Sequence, residues 1–304
     1  MAAPGRMVKT IWTREQDFAA DQFRPAYSAR YEVGLSADGS ITAMHGRIAG
    51  QSINAYHNRK GPPGIGDPTA AAWLIYGAYA FPNKLIHYHP VDLTVPVGFW
   101  RSVTMSQNSF FAESIIDEVA RATKRDPLAM RLALLAQEPR MQAVLSRAGA
   151  MIGWDKPRRK GVGRGIALGY ADNSACAQAV EVEVKGKQLK INRIVCAMDC
   201  GLAVDPVNVE AQISGGIVWG LQAALYGEVP FAAGAPQVSN FSDYRMPLLG
   251  DTPPIEVVLM AGSDRPGSVG ESSVPPMAPA LVNAIADAGG PRIRSLPVSK
   301  TLEV

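Results

Sequence analysis

At 304 residues, 47% of them hydrophobic, the chain is long enough to bury one large core or two medium ones. A net charge of +3, with acidic and basic residues interspersed, gives no clustered basic stripe, which excludes nucleic acid as an expected partner. No run approaches the roughly 18–20 apolar residues of a membrane span, and three cysteines (Cys176, Cys196 and Cys200) are too few for a disulfide framework or an iron–sulfur cluster held by this chain alone.

The first residues, Met1-Ala-Ala-Pro-Gly-Arg-Met7, carry neither a hydrophobic signal core nor a twin arginine. The expected compartment is therefore the cytoplasm, or the periplasmic face of a membrane if the chain is exported with a signal-bearing partner. Residues 27–45 alternate, with Tyr31, Val33 and Leu35 on one face and Asp38-Gly39 as a two-residue turn, which predicts a β-hairpin. Residues 54–95 show no period and read mostly as loop with a short strand. From Asn108 the period changes: Phe111, Ile115, Ile116 and Val119 share a helical face. Asp126-Pro127 stops that helix and caps another, and a third covers Met141 to Ala148.

The basic run Lys156–Lys160 reads as a solvated linker. Strands then return: Val180, Val182 and Val184 alternate with Glu181 and Glu183, Lys185-Gly186 turns, and Leu189, Ile191 and Ile194 form the partner. Residues 207–226 read as a glycine-bearing helix, Ile255–Met260 as a strand and Ala280–Ala288 as a helix. The expected fold is α+β (mixed α/β) in two sub-domains, residues 1–155 and 156–304.

Pro266-Gly-Ser-Val-Gly-Glu271 is the sharpest chemical feature. Its glycines let the backbone approach a ligand closely, and a carboxylate follows at once. The alternative is an ordinary turn with a surface glutamate. In the second feature, Asp199-Cys-Gly201 is followed by Gln212-Ile-Ser-Gly-Gly216, which sets a side-chain amide beside small residues; an amide donates and accepts, as a heteroatom-rich ring requires. Tight helix packing with an exposed glutamine explains the same residues. In the third, Phe99-Trp-Arg101-Ser102 combines aromatic rings with a guanidinium suited to anionic recognition, or forms an aromatic corner with a paired arginine. Gly161-Val-Gly-Arg-Gly165 lacks the strand and helix that a dinucleotide loop needs, and His87-Tyr-His89 has no evident carboxylate or cysteine partner.

Taken together, Val8–Asp17, Gly98–Val103, Met198–Gly201, Ala211–Gly216, Asn240–Tyr244 and Gly267–Glu271 resemble the molybdopterin-binding subunit of the isoquinoline 1-oxidoreductase and aldehyde dehydrogenase branch of the xanthine dehydrogenase–aldehyde oxidase family. The likeness covers nearly the whole chain, and Arg294-Ser-Leu-Pro297 resembles the family's end. It implies a molybdenum-hydroxylase type of fold and a molybdenum held by the dithiolene of molybdopterin (the cytosine dinucleotide form), with no protein metal ligand. It also implies oxidation of an N-heteroaromatic or aldehyde substrate with water as oxygen source, Glu271 being the base and hydride passing to the molybdenum centre. By the same resemblance Gln212, Arg101, Gly270 and Val269 bind the cofactor, while Phe99 and Trp100 wall the substrate pocket. The implied partners are a small [2Fe–2S] subunit, a cytochrome or quinone acceptor, and a complementary N-terminal half whose Gly-Gly-Gly-Phe-Gly loop has no match here. Relatives commonly read Gly-Gly-Val-Gly-Glu-Pro-Gly where this chain has Gly-Ser-Val-Gly-Glu-Ser-Ser. The competing expectation is a non-catalytic fragment or assembly module that cannot hold the cofactor alone.

Overall fold

The computed structural model describes residues 4–59, 67–263 and 265–304; the part of the expected 54–95 loop that falls at 60–66 lies outside the described residues. A short helix α1 (Arg14–Ala20) starts at a capping box in which Thr13 and Gln16 satisfy each other's backbone N–H. Strands β1 (Tyr27–Leu35) and β2 (Ile41–Gly50) form the expected antiparallel pair. The turn differs from the two-residue one predicted: residues 36–40 close it, Ser36 and Ser40 both bond to Asp38, and the register shifts at Gly34/Leu35. The loop expected next contains helices α2 (Ile53–Tyr56) and α3 (Ala72–Tyr76) before strand β3 (Lys84–Pro90), which pairs parallel to β2. His87 of β3 lies 3.2 Å from His45 of β2, and no group of three or more metal-ligating side chains forms among the described residues.

Three helices follow: α4 (Met105–Ala122), α5 (Pro127–Leu134) and α6 (Pro139–Ile152). Asp126 caps α5 by accepting from the Ala129 N–H at 2.8 Å, with Pro127 at the first position, as its sequence requires. Helix α4 is pinned from below. Arg131 of α5 donates to Glu113 Oε2 at 2.7 Å, Tyr79 donates to the other carboxylate oxygen, and Glu113 and Arg131 are fully buried.

The second sheet runs β4 (Val162–Ala171), β5 (Ser174–Lys185), β6 (Gln188–Asp199), then β9 (Ile255–Leu259). The first three strands are an antiparallel meander and β9 joins β6 in parallel. Between β6 and β9 lie helix α7 (Pro206–Leu225) and a small ribbon, β7 (Phe231–Ala232) with β8 (Ala235–Pro236); helix α8 (Met277–Asp287) follows β9. Alternation along β5 sends Cys176, Val180 and Val182 to a core shared with α7 and α8. Ala175, Ala177 and Ala179 face the opposite core, built with α4 and α6. Sequence alone did not identify β4, because Gly163, Gly165 and Gly169 hide its pattern. Their role is spatial: a Cβ at Gly163 or Gly165 would collide with the α8 backbone, so the glycines let that helix lie directly on the strand. All three cysteines are buried. No helix among the described residues is long and apolar enough to cross a membrane.

Candidate active site

Three segments far apart in sequence meet at one guanidinium. Arg101 sits in the turn before α4, where Ser102 (φ 76°) and Val103 (φ 45°) are both in the left-handed region. That conformation is costly for a β-branched residue and persists only where surrounding contacts fix it. Here they do: Val103 N–H bonds to Trp100 O at 2.6 Å, and the Ser102 hydroxyl donates to the Glu271 carbonyl at 2.6 Å. The turn aims Arg101 so that Nε donates to the Gly270 carbonyl, while a terminal nitrogen donates to Gln212 Oε1 at 2.9 Å and to Gln212 O at 3.2 Å. Burial pushes the Arg101 guanidinium below its ordinary value, and the nearby Glu271 charge pushes it back up.

Gln212 projects from the first turns of α7, whose start is fixed by Asp205 accepting from Asn208 N–H at 3.1 Å with Pro206 behind it. Its side chain is exposed, and since Oε1 is taken by Arg101, its amide N–H groups point the remaining capacity outward. Gly216, one turn on, leaves no room for a side chain: a Cβ would collide with Ser273 Oγ and come within 3.3 Å of Arg101. Gly215 faces open space.

The loop bearing Glu271 is held by backbone bonds in addition to those from Arg101 and Ser102. Gly267 N–H bonds to Cys200 O at 2.7 Å, Ser268 N–H to Asp172 O at 3.0 Å, and Val274 N–H to Glu271 O at 3.1 Å. Behind it, Gln178 donates to the Ser273 carbonyl at 2.6 Å inside the core. The Asp199-Cys-Gly201 motif serves this loop structurally. Arg140 makes a two-pronged pair with Asp199 (2.8 and 2.9 Å), Asp199 accepts the Gly201 N–H, and Gly201 bridges to Pro266. These Arg140 hydrogen bonds hold the Asp199 carboxyl below its usual 3.8 despite burial. Val269 is half-buried against the α7–α8 core, whereas Gly270 stays open around its Cα.

The structure thus brings together Arg101, Gln212, Gly270 and Glu271. The two aromatic residues diverge. Phe99 is 55% exposed and stacks on His57 (5.8 Å between ring centres), whereas Trp100 turns toward Trp219 and lies under the Arg24 guanidinium at 4.4 Å. Sequence reasoning missed Ser102 and Arg24. The unusual backbone of Ser102 has no sequence signature, and Arg24 matters only through groups brought to it by α4 and α7.

The fold and this constellation define a molybdenum hydroxylase cofactor domain: the chain belongs to the molybdopterin cofactor-binding domain family, two models of which match residues 1–135 and 102–253. It is 34% identical over 99% of its length to isoquinoline 1-oxidoreductase subunit beta of Brevundimonas diminuta, covering 39% of that protein. It is 28% identical over 98% of its length to a membrane-bound aldehyde dehydrogenase of Gluconacetobacter polyoxogenes, covering 42%. The chain therefore spans about two-fifths of these relatives. Among solved structures, quinoline 2-oxidoreductase from Pseudomonas putida 86 superimposes with a TM-score of 0.78 at 13% identity, over 91% of this chain and 61% of that one. Aldehyde oxidoreductase from Desulfovibrio gigas gives 0.72 at 14%, over 96% and 50%. At these identities the likeness is one of fold.

The residues present fit a molybdopterin. Gln212 offers free amide donors, Gly215 and Gly270 leave their Cβ directions open, and Ser273 Oγ is buried without a partner behind them. A donor-rich, sterically open rim suits a ring system dense in nitrogen and oxygen, and it offers the metal no thiolate that would compete with the cofactor's own sulfur.

Proposed function

We propose that this chain is the part of a molybdenum hydroxylase that holds one side of molybdopterin and supplies the catalytic base. Gln212 and the backbone at Val269 and Gly270 bind the pterin, and Arg101 fixes both against each other. The observation that carries the reading is the single guanidinium bonded to Gly270 O and Gln212 Oε1, groups 169 and 111 residues away in sequence. When bound, the cofactor supplies a redox-active molybdenum that takes up the two electrons of the oxidation.

Glu271 acts as general base through its carboxylate oxygens, accepting a proton from the water that becomes the product's oxygen. Its main chain is immobilised by Ser102 and Val274, so its side chain works from a fixed origin. Phe99 and Trp100 supply aromatic surface toward the substrate, an N-heteroaromatic ring or an aldehyde. Cofactor in the cytosine dinucleotide form, a complementary polypeptide, a [2Fe–2S] subunit and a cytochrome or quinone acceptor complete the assembly. The test is molybdenum and pterin content of the protein purified from its native host with whatever accompanies it. About one molybdenum per chain is the expected result. A metal-free chain, from a host that still matures other molybdenum enzymes, contradicts it. The second reading, a module that folds but holds no cofactor alone, is favoured by the same metal-free result.

A further inference from the structure

A cavity of about 1080 Å³ opens beside the candidate site, between the β1 end of the first sheet, α4 and the C-terminal half of α7. Its walls are chemically unfinished. Arg24 reaches into it, donating to Ser106 Oγ at 2.8 Å and lying over Trp100, with no carboxylate in ion-pair contact among the described residues. Burial pushes its guanidinium down to about 10, a fall that nearby Tyr244 only partly offsets. Gln107 and Gln222, each only 7% exposed, line the same cavity with amide nitrogens that find no acceptor, and Ser114 Oγ is likewise without a partner. Buried donors are left unmatched in few native structures, and a part-buried cation without a carboxylate partner adds to the cost. Glu118 and Glu228 also line the cavity but are paired with Arg294 and Lys300, so the complement that Arg24 and the two amides call for is rich in acceptors and carries negative charge.

The size and surroundings decide what that complement is. Helix α7 buries Val209, Ile213, Ile217 and Leu221 on one side, yet its outward side also carries the large apolar residues Val207 and Trp219, which are 77% and 46% exposed. Large apolar side chains left exposed on the outward side of a helix already packed on its other side mark a surface to be covered. Trp219 packs 6.1 Å from Trp100, so this outward face runs straight into the cavity. A free small anion would satisfy Arg24 but leave α7 bare. A polypeptide does both, and about three-fifths of the relatives' length lies outside the matched region.

We infer that this groove, from the outer face of α7 into the Arg24 cavity, is the seat of the polypeptide that supplies the remainder of the relatives' length, with an acidic side chain against Arg24 and backbone carbonyls on Gln107 and Gln222. The inference rests on the proposed function for the identity of that polypeptide. It holds whether the segment is joined to this chain or separate.

The experiment places the photo-crosslinking residue p-benzoylphenylalanine at Trp219 and, separately, at Phe231, in protein expressed in its native host. Captured peptides are mapped by mass spectrometry, and molybdenum is measured on the same preparations. The expected capture is peptide homologous to the part of isoquinoline 1-oxidoreductase subunit beta outside the matched 39%. Arg24→Glu should cut the yield by more than about tenfold, and Arg24→Lys should retain most of it. Capture confined to this chain's matched region or to a second copy of it overturns the inference, as does an Arg24→Glu yield equal to wild type. Molybdenum-loaded preparations without the expected capture defeat the docking site and leave the proposed function intact; capture without molybdenum does the reverse.

Discussion

Two arginines beside Trp100, one stacked on its ring and one next to it in the chain, have opposite fates. Arg101 spends its hydrogen-bonding capacity within the chain, on Gly270 and Gln212, and a nearby carboxylate offsets its desolvation. Arg24 is as hemmed in, but it has a hydroxyl for a partner and orphaned amides for neighbours. On the proposed reading, the difference separates a site closed by this chain's own groups from one that a further segment would cover. The Arg101 constellation is preformed, because every strut of it (the strained 102–103 turn, the α7 cap, the pinned glutamate loop) lies within these residues. The Arg24 side leaves the amide nitrogens of Gln107 and Gln222 without acceptors.

The comparison can be broken most severely from underneath, since α4 supports both sides. Arg131→Leu strips the fully buried Glu113 of its cation and should cost about 3–5 kcal/mol, read as a large fall in the urea midpoint, with both sides lost together. A smaller change should touch only the Arg101 side. Gly216→Ala drives a methyl into Ser273 Oγ and should cost about 1–3 kcal/mol, whereas Gly215→Ala, facing open space, should stabilise the helix by about 0.5–1 kcal/mol in the same melts. Equal effects at these adjacent glycines would refute the packing described at Gln212 and Arg101.

The smallest effect concerns pH. Arg140 depresses Asp199, so this pair's contribution is fully present above the ordinary aspartate value of 3.8 and is lost as pH falls through the lower folded-state value. With Arg140 37% exposed, solvent screening leaves roughly 1 kcal/mol or less. Asp199→Asn should remove that acid-side step from the stability profile; an unchanged step would assign it to other carboxylates.

Much of the site was legible in the sequence, for a physical reason. Gly267–Glu271 and Gln212–Gly216 concentrate their chemistry in a few contiguous residues, and the glycines mark where a backbone must come close. The caps at Asp126-Pro127 and Asp205-Pro206 likewise act locally, so the helices they begin were visible. What stayed hidden depends on partners distant in sequence. Nothing near Arg101 announces that it will bond a carbonyl 169 residues away, and Gly163 and Gly165 give no strand pattern because the helix that needs their bareness is more than a hundred residues on. Arg24 sits in a stretch with no period, and its meaning comes from Gln107 and Gln222 on two other helices. The parallel docking of β3 and β9 is hidden for the same reason.

The most direct test of the central claim is turnover and metal content of Glu271→Gln in the assembled enzyme. The substitution keeps the size of the side chain and leaves the backbone bonds to Ser102 and Val274 in place, so molybdenum should be retained. Turnover should fall by about 100- to 10,000-fold. A variant that keeps its metal and turns over at a rate close to wild type would show that the base lies elsewhere.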